Sequence, residues 1–392
     1  MINCLLGDVA KSQTGPFGSQ LHESDYVKQG TPIVTVEHLG EIGFTTQNLP
    51  FVSQKDTERL SRFLLKEGDI VFSRVGSIDR CVYVKKEQEG WLFSGRCLRV
   101  RCDEDKVNSR FLSYYFKLAD FKKMMLNISV GATMPSLNTS LMDDIPLSIP
   151  ERAEQDKIAA LLDKIDAKIE NNNSINEELR EIVKTIYDYW FLQYEFPNEE
   201  GKPYKSSGGK MVWNEELKKE IPESWEKGTF SDLFEIGNGK DHKHLHEGTI
   251  PVYGSGGIMR YCDTPIFEGE SVLIPRKGTL NNLIYVNGAF WTVDTMFYSK
   301  MKIDHAAIYA YYSLKRFDFE ILNTGTGVPS MTSTIIYGLK TVIPNKHILA
   351  AFDKVVQPLY QRIKKNDIEN MELSSLKDFL LPLLMNGQVT LA

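Results

Sequence analysis

Two segments of the sequence have an apolar seam in which the steps between successive positions alternate between four and three residues. The seam positions are Ile158, Leu162, Ile165, Ile169, Asn172, Asn176 and Leu179 in the first segment, and Phe352, Val356, Leu359, Ile363, Asn366, Asn370 and Leu373 in the second. A repeat of about 3.5 residues is the pattern of a coiled coil. We therefore expect two helices of about 40 residues, each about 60 Å long, that pair antiparallel.

The two seams belong to an internal repeat that covers most of the chain. A gapless match at an offset of 194 residues aligns 134–137 with 328–331 and places the first seam on the second. A proline, Pro150 or Pro344, precedes each helix; proline is common where a helix begins. The repeat predicts a first module at 1–148, a first helix at 149–196, a linker and second module at 197–342, and a second helix with a tail at 343–392.

Both seams have asparagine at the same two positions. An asparagine in a coiled-coil seam lowers stability but specifies register and partner. The alternative is a solvated stretch where the helices pass a gap, and the repetition favours the register role. One further position in the second seam, Lys377, is polar, and we expect Leu376 beside it to fill the seam.

The module before each helix contains short alternating runs with glycine between them, which is typical of strands joined by turns. The clearest runs are 31–37, 69–73 and 81–85 in the first module, and 251–254, 271–275 and 283–287 in the second. An aromatic helix is predicted in each module, at 109–123 and at 306–321. We predict an α+β protein with two mostly antiparallel sheet modules, two long helices and a pseudo-twofold repeat.

The net charge of −6 is unusual for a protein that binds nucleic acid without a partner. Residues 151–195 alone contain 11 acidic and 6 basic side chains. The rest of the chain is nearly neutral, so nucleic-acid binding would depend on local basic patches or on the charge of a partner.

The five cysteines include no C-x-x-C pair, which favours reduced and mostly buried thiols in a cytoplasmic protein. The first residues lack the basic and apolar regions of a signal peptide, and no run approaches the roughly 18 apolar residues of a membrane helix. We expect a chain without either segment.

Common catalytic motifs are missing: the sequence contains no G-x-x-x-x-G-K-[ST], no H-E-x-x-H and no G-x-S-x-G. A nuclease using scattered carboxylates such as Asp69, Asp79 and Asp294 is an alternative, although their spacing shows no pairing. The segment His242-Lys243-His244-Leu245-His246 has three interpretations: a metal site, a DNA contact or a solvated loop. We expect no cofactor and no metal in this chain.

Polar loops at equivalent places in both modules are the candidates for contacts to DNA. Arginine, lysine and small polar side chains on a rigid support can contact base edges or phosphates. An ordinary hairpin with solvated basic residues is the alternative, and the repetition favours the DNA role. The candidates are Gln13, Ser19, Gln20, Ser73, Arg74, Ser77, Arg80, Thr133, Ser136, Lys240, His242, Lys243, Arg276, Lys277, Asn281, Asn282, Thr326 and Ser330.

The ordered pair of modules and helices resembles the specificity subunits of type I restriction–modification enzymes. The strongest stretches are 149–191 and Leu380-Leu381-Pro382-Leu383-Leu384-Met385-Asn386-Gly387, together with Gly68-Asp69-Ile70-Val71-Phe72-Ser73-Arg74 and 325–330. The resemblance covers almost the whole chain and implies two target recognition domains, each contacting one half of a bipartite, asymmetric site in double-stranded DNA.

The resemblance also implies partners. Two methylation subunits would dock on the long helices and supply S-adenosylmethionine chemistry, and restriction subunits would supply ATP and Mg²⁺ chemistry. The start of the second helix, Pro344-Asn345-Lys346-His347, departs from the family pattern because it lacks the Glu-Gln pair that the first helix has at Glu154-Gln155. Equal binding of the methylation subunits by the two helices therefore does not follow from the resemblance. A coiled-coil scaffold that binds only proteins is the main alternative function.

Overall fold

The structure is a computed structural model that describes residues 1–40, 42–129, 136–325 and 327–391. The chain forms two compact units: Met1–Asn172 with Ile368–Ala392, and Asn173–Asp367. Each unit therefore contains one module and part of both long helices. The units divide the chain inside the helices, whereas the four-part division from the repeat stays a prediction.

The first unit contains two four-stranded sheets and a two-stranded ribbon. Its strands are β1 (Ile2–Leu5), β2 (Ala10–Thr14), β3 (Tyr26–Val27), β4 (Thr31–Val34), β5 (Phe51–Val52), β6 (Ile70–Ser73), β7 (Cys81–Tyr83), β8 (Leu92–Phe93), β9 (Cys97–Cys102) and β10 (Pro146–Ile149). The sheet orders are β2-β9-β6-β7 and β3-β5-β4-β8, and β1 pairs with β10. All of these pairings are antiparallel except β4 with β8.

Short helices cover one side of the β2-β9-β6-β7 sheet. They are α1 (Leu6–Val9), α3 (Ser109–Tyr115), α4 (Ala119–Ile128) and α5 (Thr139–Asp143). A further helix, α2 (Gln54–Arg59), leads into Leu60 and Phe63, which belong to the separate core that contains Val71 of β6. The single helix predicted at 109–123 is wrong, because α3 ends at Tyr115 and α4 begins at Ala119. The break lets Phe116 pack on Phe121, with ring centres 4.7 Å apart, and on Phe72 of β6.

The second unit has one six-stranded sheet and two ribbons. Its strands are β11 (Met211–Asn214), β12 (Lys219–Pro222), β13 (Glu226–Thr229), β14 (Phe234–Asn238), β15 (Ile250–Gly254), β16 (Gly257–Cys262), β17 (Phe267–Pro275), β18 (Ile284–Thr292), β19 (Met296–Met301) and β20 (Lys340–Ile343). The sheet order is β14-β19-β17-β18-β15-β16, and only β15 with β18 is parallel. The ribbons are β11 with β12 and β13 with β20.

Each long helix is continuous. After α6 (Arg152–Tyr187), the second unit has α7 (Phe230–Leu233), α8 (Ala307–Leu314) and α9 (Ser333–Gly338), and α10 (Lys346–Met385) follows. A π-helical segment, Asp188–Leu192, extends α6, and Gly387 at φ 67° follows the end of α10. Among the described residues, no helix is both long enough and apolar enough to cross a bilayer.

The long helices pair antiparallel within each unit. In the first unit Asn172 donates to Asn370 Oδ1 at 2.9 Å, and in the second Asn366 donates to Asn176 Oδ1 at 2.8 Å. Ile158, Leu162, Phe352 and Val356 are at most 1 % exposed, and Ile165, Ile169 and Ile363 at most 8 %; Leu179, Leu359, Asn370 and Leu373 are half-buried. The predicted α+β fold with an antiparallel coiled coil is confirmed.

The expectation for Leu376 is wrong. Leu376 is 45 % exposed, whereas Lys377 lies on the seam with its ammonium paired to Asp166. The Lys377 ammonium also lies 5.2 Å from the centre of the Tyr114 ring, within the range of a cation–π contact. A buried carboxylate on the facing helix thus stabilises a charged residue that the 3.5-residue pattern alone would exclude.

Candidate nucleic-acid interface

The first module holds its basic loop against the segment that leads to α5. Ser73 ends β6, and Gly76 at φ 77° turns the chain through a conformation that favours glycine. Val75 forms an antiparallel bridge with Ser136, and the Leu137 N–H donates to the Arg74 carbonyl at 2.9 Å. The structure therefore brings the two predicted loops of this module together.

The two arginines of this loop differ in what they contact. The Arg74 guanidinium donates to the Leu137 and Gly95 carbonyls at 3.1 and 3.2 Å, so it joins two loops of the module. Ser73 is buried and donates to the Val75 carbonyl at 3.0 Å. Ser77 and Arg80 are exposed, so their side chains are available to a ligand.

The second module repeats this construction. Lys277 bridges Ser330, the Met331 N–H donates to the Arg276 carbonyl at 2.9 Å, and Gly278 adopts φ 90°. Arg276 and Lys277 are exposed, and the Arg276 guanidinium lies 5.7 Å from the Phe297 ring centre. Two basic side chains thus project from a loop with the same backbone contacts as the first.

The two asparagines of the second loop have their side-chain amides engaged inside the protein. Asn281 donates to Asp318 at 3.0 Å and accepts from the Phe319 N–H, and Asn282 donates to the Ser255 carbonyl at 2.8 Å. These bonds fix both side chains against the rest of the module, so both residues position the loop, and each amide keeps a second N–H for a further partner.

Gln13, predicted in a loop, lies within β2 instead, and a buried arginine next to the following loop fixes its side chain. Gln13 accepts from Arg99, whose guanidinium also donates to the Leu64 carbonyl at 3.2 Å. Burial lowers the pKa of Arg99, and the charge of Asp69 opposes that shift. Gln20 is half-buried and its carbonyl accepts from Arg59, while Ser19 is exposed. Ser19 is therefore the candidate on this loop that remains open to a ligand.

The histidine-containing segment forms a turn. Lys240 and Lys243 are exposed, and His242 is half-buried with an Nδ1 that has no hydrogen-bond partner. Within the described ranges, no cluster of three histidine, cysteine or carboxylate side chains has the arrangement of a metal site. The interpretations of this segment stay predictions. Two other candidates, Thr133 and Thr326, lie outside the residues that the structure describes.

Asp69, one of the carboxylates considered for a nuclease site, is engaged in an ion pair inside the first unit. Asp69 is 1 % exposed and accepts from Arg101 through both oxygens, each at 2.7 Å. The pair links β9 to the start of β6, so the aspartate holds the sheet together. A carboxylate engaged in this way cannot also bind a catalytic metal facing solvent.

Two residues beside the first loop were not identified from the sequence. The Arg96 carbonyl accepts from the Arg74 N–H at 2.8 Å and its side chain is exposed, and Phe17 is 59 % exposed with its ring centre 5.9 Å from the Arg74 guanidinium carbon. An exposed aromatic ring next to basic side chains is suited to contact with a base or sugar. The sequence signal was a phenylalanine between Pro16 and Gly18, in a loop.

Comparison with known proteins gives a consistent result across nearly the full length. The family model described as the type I restriction modification DNA specificity domain matches residues 4–181 and 222–374. These two matches contain both modules and most of both long helices.

Individual relatives carry the same description. The specificity subunit of the type I restriction enzyme MjaIX from Methanocaldococcus jannaschii is 27 % identical over 366 residues, covering 86 % of this chain and 81 % of the relative. The HindI specificity subunit from Haemophilus influenzae is 21 % identical and covers 86 % and 89 %. The crystal structure of a type I restriction-modification S subunit from M. genitalium shares the fold, with a TM-score of 0.60, 17 % identity, and coverage of 98 % and 96 %.

Proposed function

Because the chain belongs to the family of the type I restriction modification DNA specificity domain, we propose that its two modules each contact one half of a bipartite, asymmetric target in double-stranded DNA. The modules differ in sequence, so the two half-sites differ. In this proposal the chain is the non-catalytic, cytoplasmic component of a larger complex. The S-adenosylmethionine, ATP and Mg²⁺ are held by partner subunits.

The repeated loop construction carries this proposal. In each module a basic loop turns at a glycine and forms a bridge to a serine upstream of a long helix, Ser136 or Ser330. A bridge between residues so far apart in sequence stiffens the loop, and recognition of base edges needs a rigid support. The exposed side chains on these supports are Arg80 in one module and Arg276 with Lys277 in the other.

The outer face of α10 supports partner docking. Ile368, Met371, Leu376 and Phe379 follow helical spacing and are 45–66 % exposed, all in the first unit. Exposed apolar side chains grouped on one stretch of a helix, called the apolar stripe here, are typical of a protein-binding surface. The residues 194 positions earlier are Ser174, Glu177, Ile182 and Thr185, so α6 has no equivalent stripe. The two methylation subunits would therefore dock with unequal apolar contact.

The Glu154-Gln155 pair, which the second helix lacks, makes contacts inside the first unit. Gln155 is 1 % exposed, accepts from the Asn108 N–H and donates to the Pro150 carbonyl, each at 2.9 Å. Glu154 accepts from the Leu391 N–H at 3.1 Å. Both side chains join parts of the first unit, so in this proposal the unequal docking is attributed to the exposed apolar residues of α10.

The test reconstitutes the full chain with its methylation subunits and measures methylation across a randomised library of duplex targets. We expect Arg80→Gln to relax base preference in one half-site and Arg276→Gln in the other, each by roughly 5- to 150-fold, as for loss of one good base contact. Lys106→Gln and Lys300→Gln serve as matched controls, because both lysines are exposed and lie outside the loops.

A module exchange tests the same proposal without point substitutions. Replacing residues 1–145 by the equivalent module of a relative should change one half-site and leave the other as it was. A change in both half-sites, or unaltered preference in both arginine variants, contradicts the proposal.

A further inference from the structure

A surface cavity of about 480 Å³ lies in the second unit, outside all of the predicted DNA loops. It is formed by the segment after α6, the β11–β12 hairpin and the residues after α8. Its lining includes Tyr194, Lys205, Trp213, Lys219 and Arg316. The volume is within the range of roughly 300–1,000 Å³ that is usual for small-molecule sites.

Three cations surround this cavity without carboxylate partners. In the part of the chain that the structure describes, Lys205, Lys219 and Arg316 form no ion pair, whereas Lys202, Lys210 and Lys218 nearby in the sequence each pair with a glutamate. Lys219 is partly buried, and burial followed by the charge of Arg316 lowers its pKa. Two cations that repel each other in a cavity are stabilised by an anion between them.

An aromatic wall faces the same space. Trp213 is 57 % exposed, a large fraction for tryptophan, and its indole N–H donates to Glu215 at 2.9 Å. The bond fixes the indole on the hairpin, so the ring is held in place while its surface stays open. Exposed indole rings held in this way are suited to stacking with a nucleobase.

The backbone beneath the cavity has two rare conformations. Tyr194 adopts φ 63°, in the left-handed region that favours glycine, and it follows the π-helical segment Asp188–Leu192. Both features are uncommon and concentrate at functional sites. They place Tyr194 in the wall of the cavity, where Lys219 Nζ lies 5.7 Å from the centre of the Tyr194 ring.

We propose that this cavity binds one nucleotide unit, with the phosphate against Lys219 and Arg316 and the base against Trp213. Glu220, which also lines the cavity, selects against a bare anion, because its carboxylate repels phosphate but accepts a hydrogen bond from a sugar hydroxyl or a base amine. A nucleotide supplies both the anion and the donor. The nucleotide is either a free one or a residue of a nucleic-acid strand. The inference does not rest on the proposed function.

The experiment measures binding to the full chain at low salt by titration calorimetry, with adenosine 5′-monophosphate, ribose 5-phosphate and adenosine as probes. We expect the monophosphate to bind at least tenfold tighter than either fragment. The variant K219Q/R316Q should weaken its binding by about ten- to a hundredfold, and W213A by about tenfold. K315Q is the matched control, because Lys315 adjoins Arg316 but faces the Tyr311 ring, 5.1 Å away.

A competition arm identifies the source of the nucleotide. If a short single-stranded oligonucleotide displaces the monophosphate, the cavity binds a nucleic-acid strand. If the oligonucleotide does not displace it, the cavity binds a free nucleotide. Thermal unfolding shows that the variants are folded, and K219Q should unfold no earlier than the wild type because it removes a poorly solvated charge. Equal affinity for ribose 5-phosphate and the monophosphate, or full binding by K219Q/R316Q, overturns the proposal.

Discussion

Removing either member of the Asp166–Lys377 pair should destabilise the first unit, but by different amounts. Asp166 accepts from Lys377 and, at 2.7 Å, from the Tyr114 hydroxyl, and Arg110 lies 3.4 Å away. The side chains of Asp166 and Lys377 are only 12 % and 16 % exposed. Burial raises the pKa of Asp166, but the hydrogen bond and charge of Lys377 outweigh it and leave that pKa below its ordinary value.

The loss of stability in each variant depends on which charged side chains remain near the substituted residue. Asp166→Asn leaves Lys377 close to Lys117, while Arg110 keeps its pair with Asp163. Burial and the charge of Lys377 already lower the pKa of Lys117. Breaking a buried pair this way costs about 3–5 kcal/mol, and we expect about 3 kcal/mol at this partly exposed site. Lys377→Met leaves Asp166 with Tyr114 and Arg110 and keeps an apolar stem on the tyrosine ring, so we expect about 1 kcal/mol.

Amide hydrogen exchange is the suitable assay, because a chain with two compact units is not expected to unfold in one step. The free energy of opening is measured for peptides from α3 and from residues 152–172 of α6. Wild type should lose the contribution of Asp166 as pH falls. The folded-state pKa is lowered, so the stability is present above the unfolded pKa of about 3.9 and disappears as pH falls through the lower folded value.

The difference in the free energy of opening between wild type and Asp166→Asn should therefore disappear at acid pH. Lys106→Gln is the matched control, since Lys106 is 57 % exposed and its ion pair lies at the surface. A loss in Lys377→Met as large as that in Asp166→Asn would refute the assignment of Asp166 as the shared partner of several cations.

Three further predictions concern packing, register and thiol reactivity. Phe352→Ala should lower the free energy of opening of the second unit by about 3–5 kcal/mol, measured by amide hydrogen exchange of peptides around Phe352, because the fully buried ring packs on two aromatic rings. Replacing Asn176 and Asn366 together by leucine should raise the melting temperature measured by calorimetry, because a polar seam pair is exchanged for an apolar one; a lower melting temperature would contradict this. Cys81 and Cys97 should resist a thiol reagent at pH 8 until the chain unfolds, because burial raises their pKa values to about 11 and about 12; rapid labelling of the folded chain would contradict it.

Part of the candidate interface could be predicted from the internal sequence repeat. The equivalence of the two basic loops was predicted from Arg74 and Arg276 near the ends of strands. The bridge from each loop to a serine, Ser136 or Ser330, is seen only in the structure. Whether these residues contact DNA stays a prediction. The sequence repeat identified the equivalent loops because two modules with the same backbone contacts need similar residues at similar positions.

Other parts of the interface depend on residues that are distant in the sequence. Arg74 resembles a free DNA contact in the sequence, yet its guanidinium joins Leu137 and Gly95. The amide of Asn281 is bound to Asp318. The identity of these partners depends on how strands and loops meet in space, which no local pattern encodes.

The sequence by itself determined the two long helices, their seam and the order of modules, because a 3.5-residue period is a property of neighbouring residues along one helix. Only the tertiary structure decided that Lys377 replaces Leu376 on the seam, and that Lys219 and Arg316 share a cavity with Trp213. The physical reason is that the energy of a buried or crowded charge depends on the charges around it, and those come from distant parts of the chain.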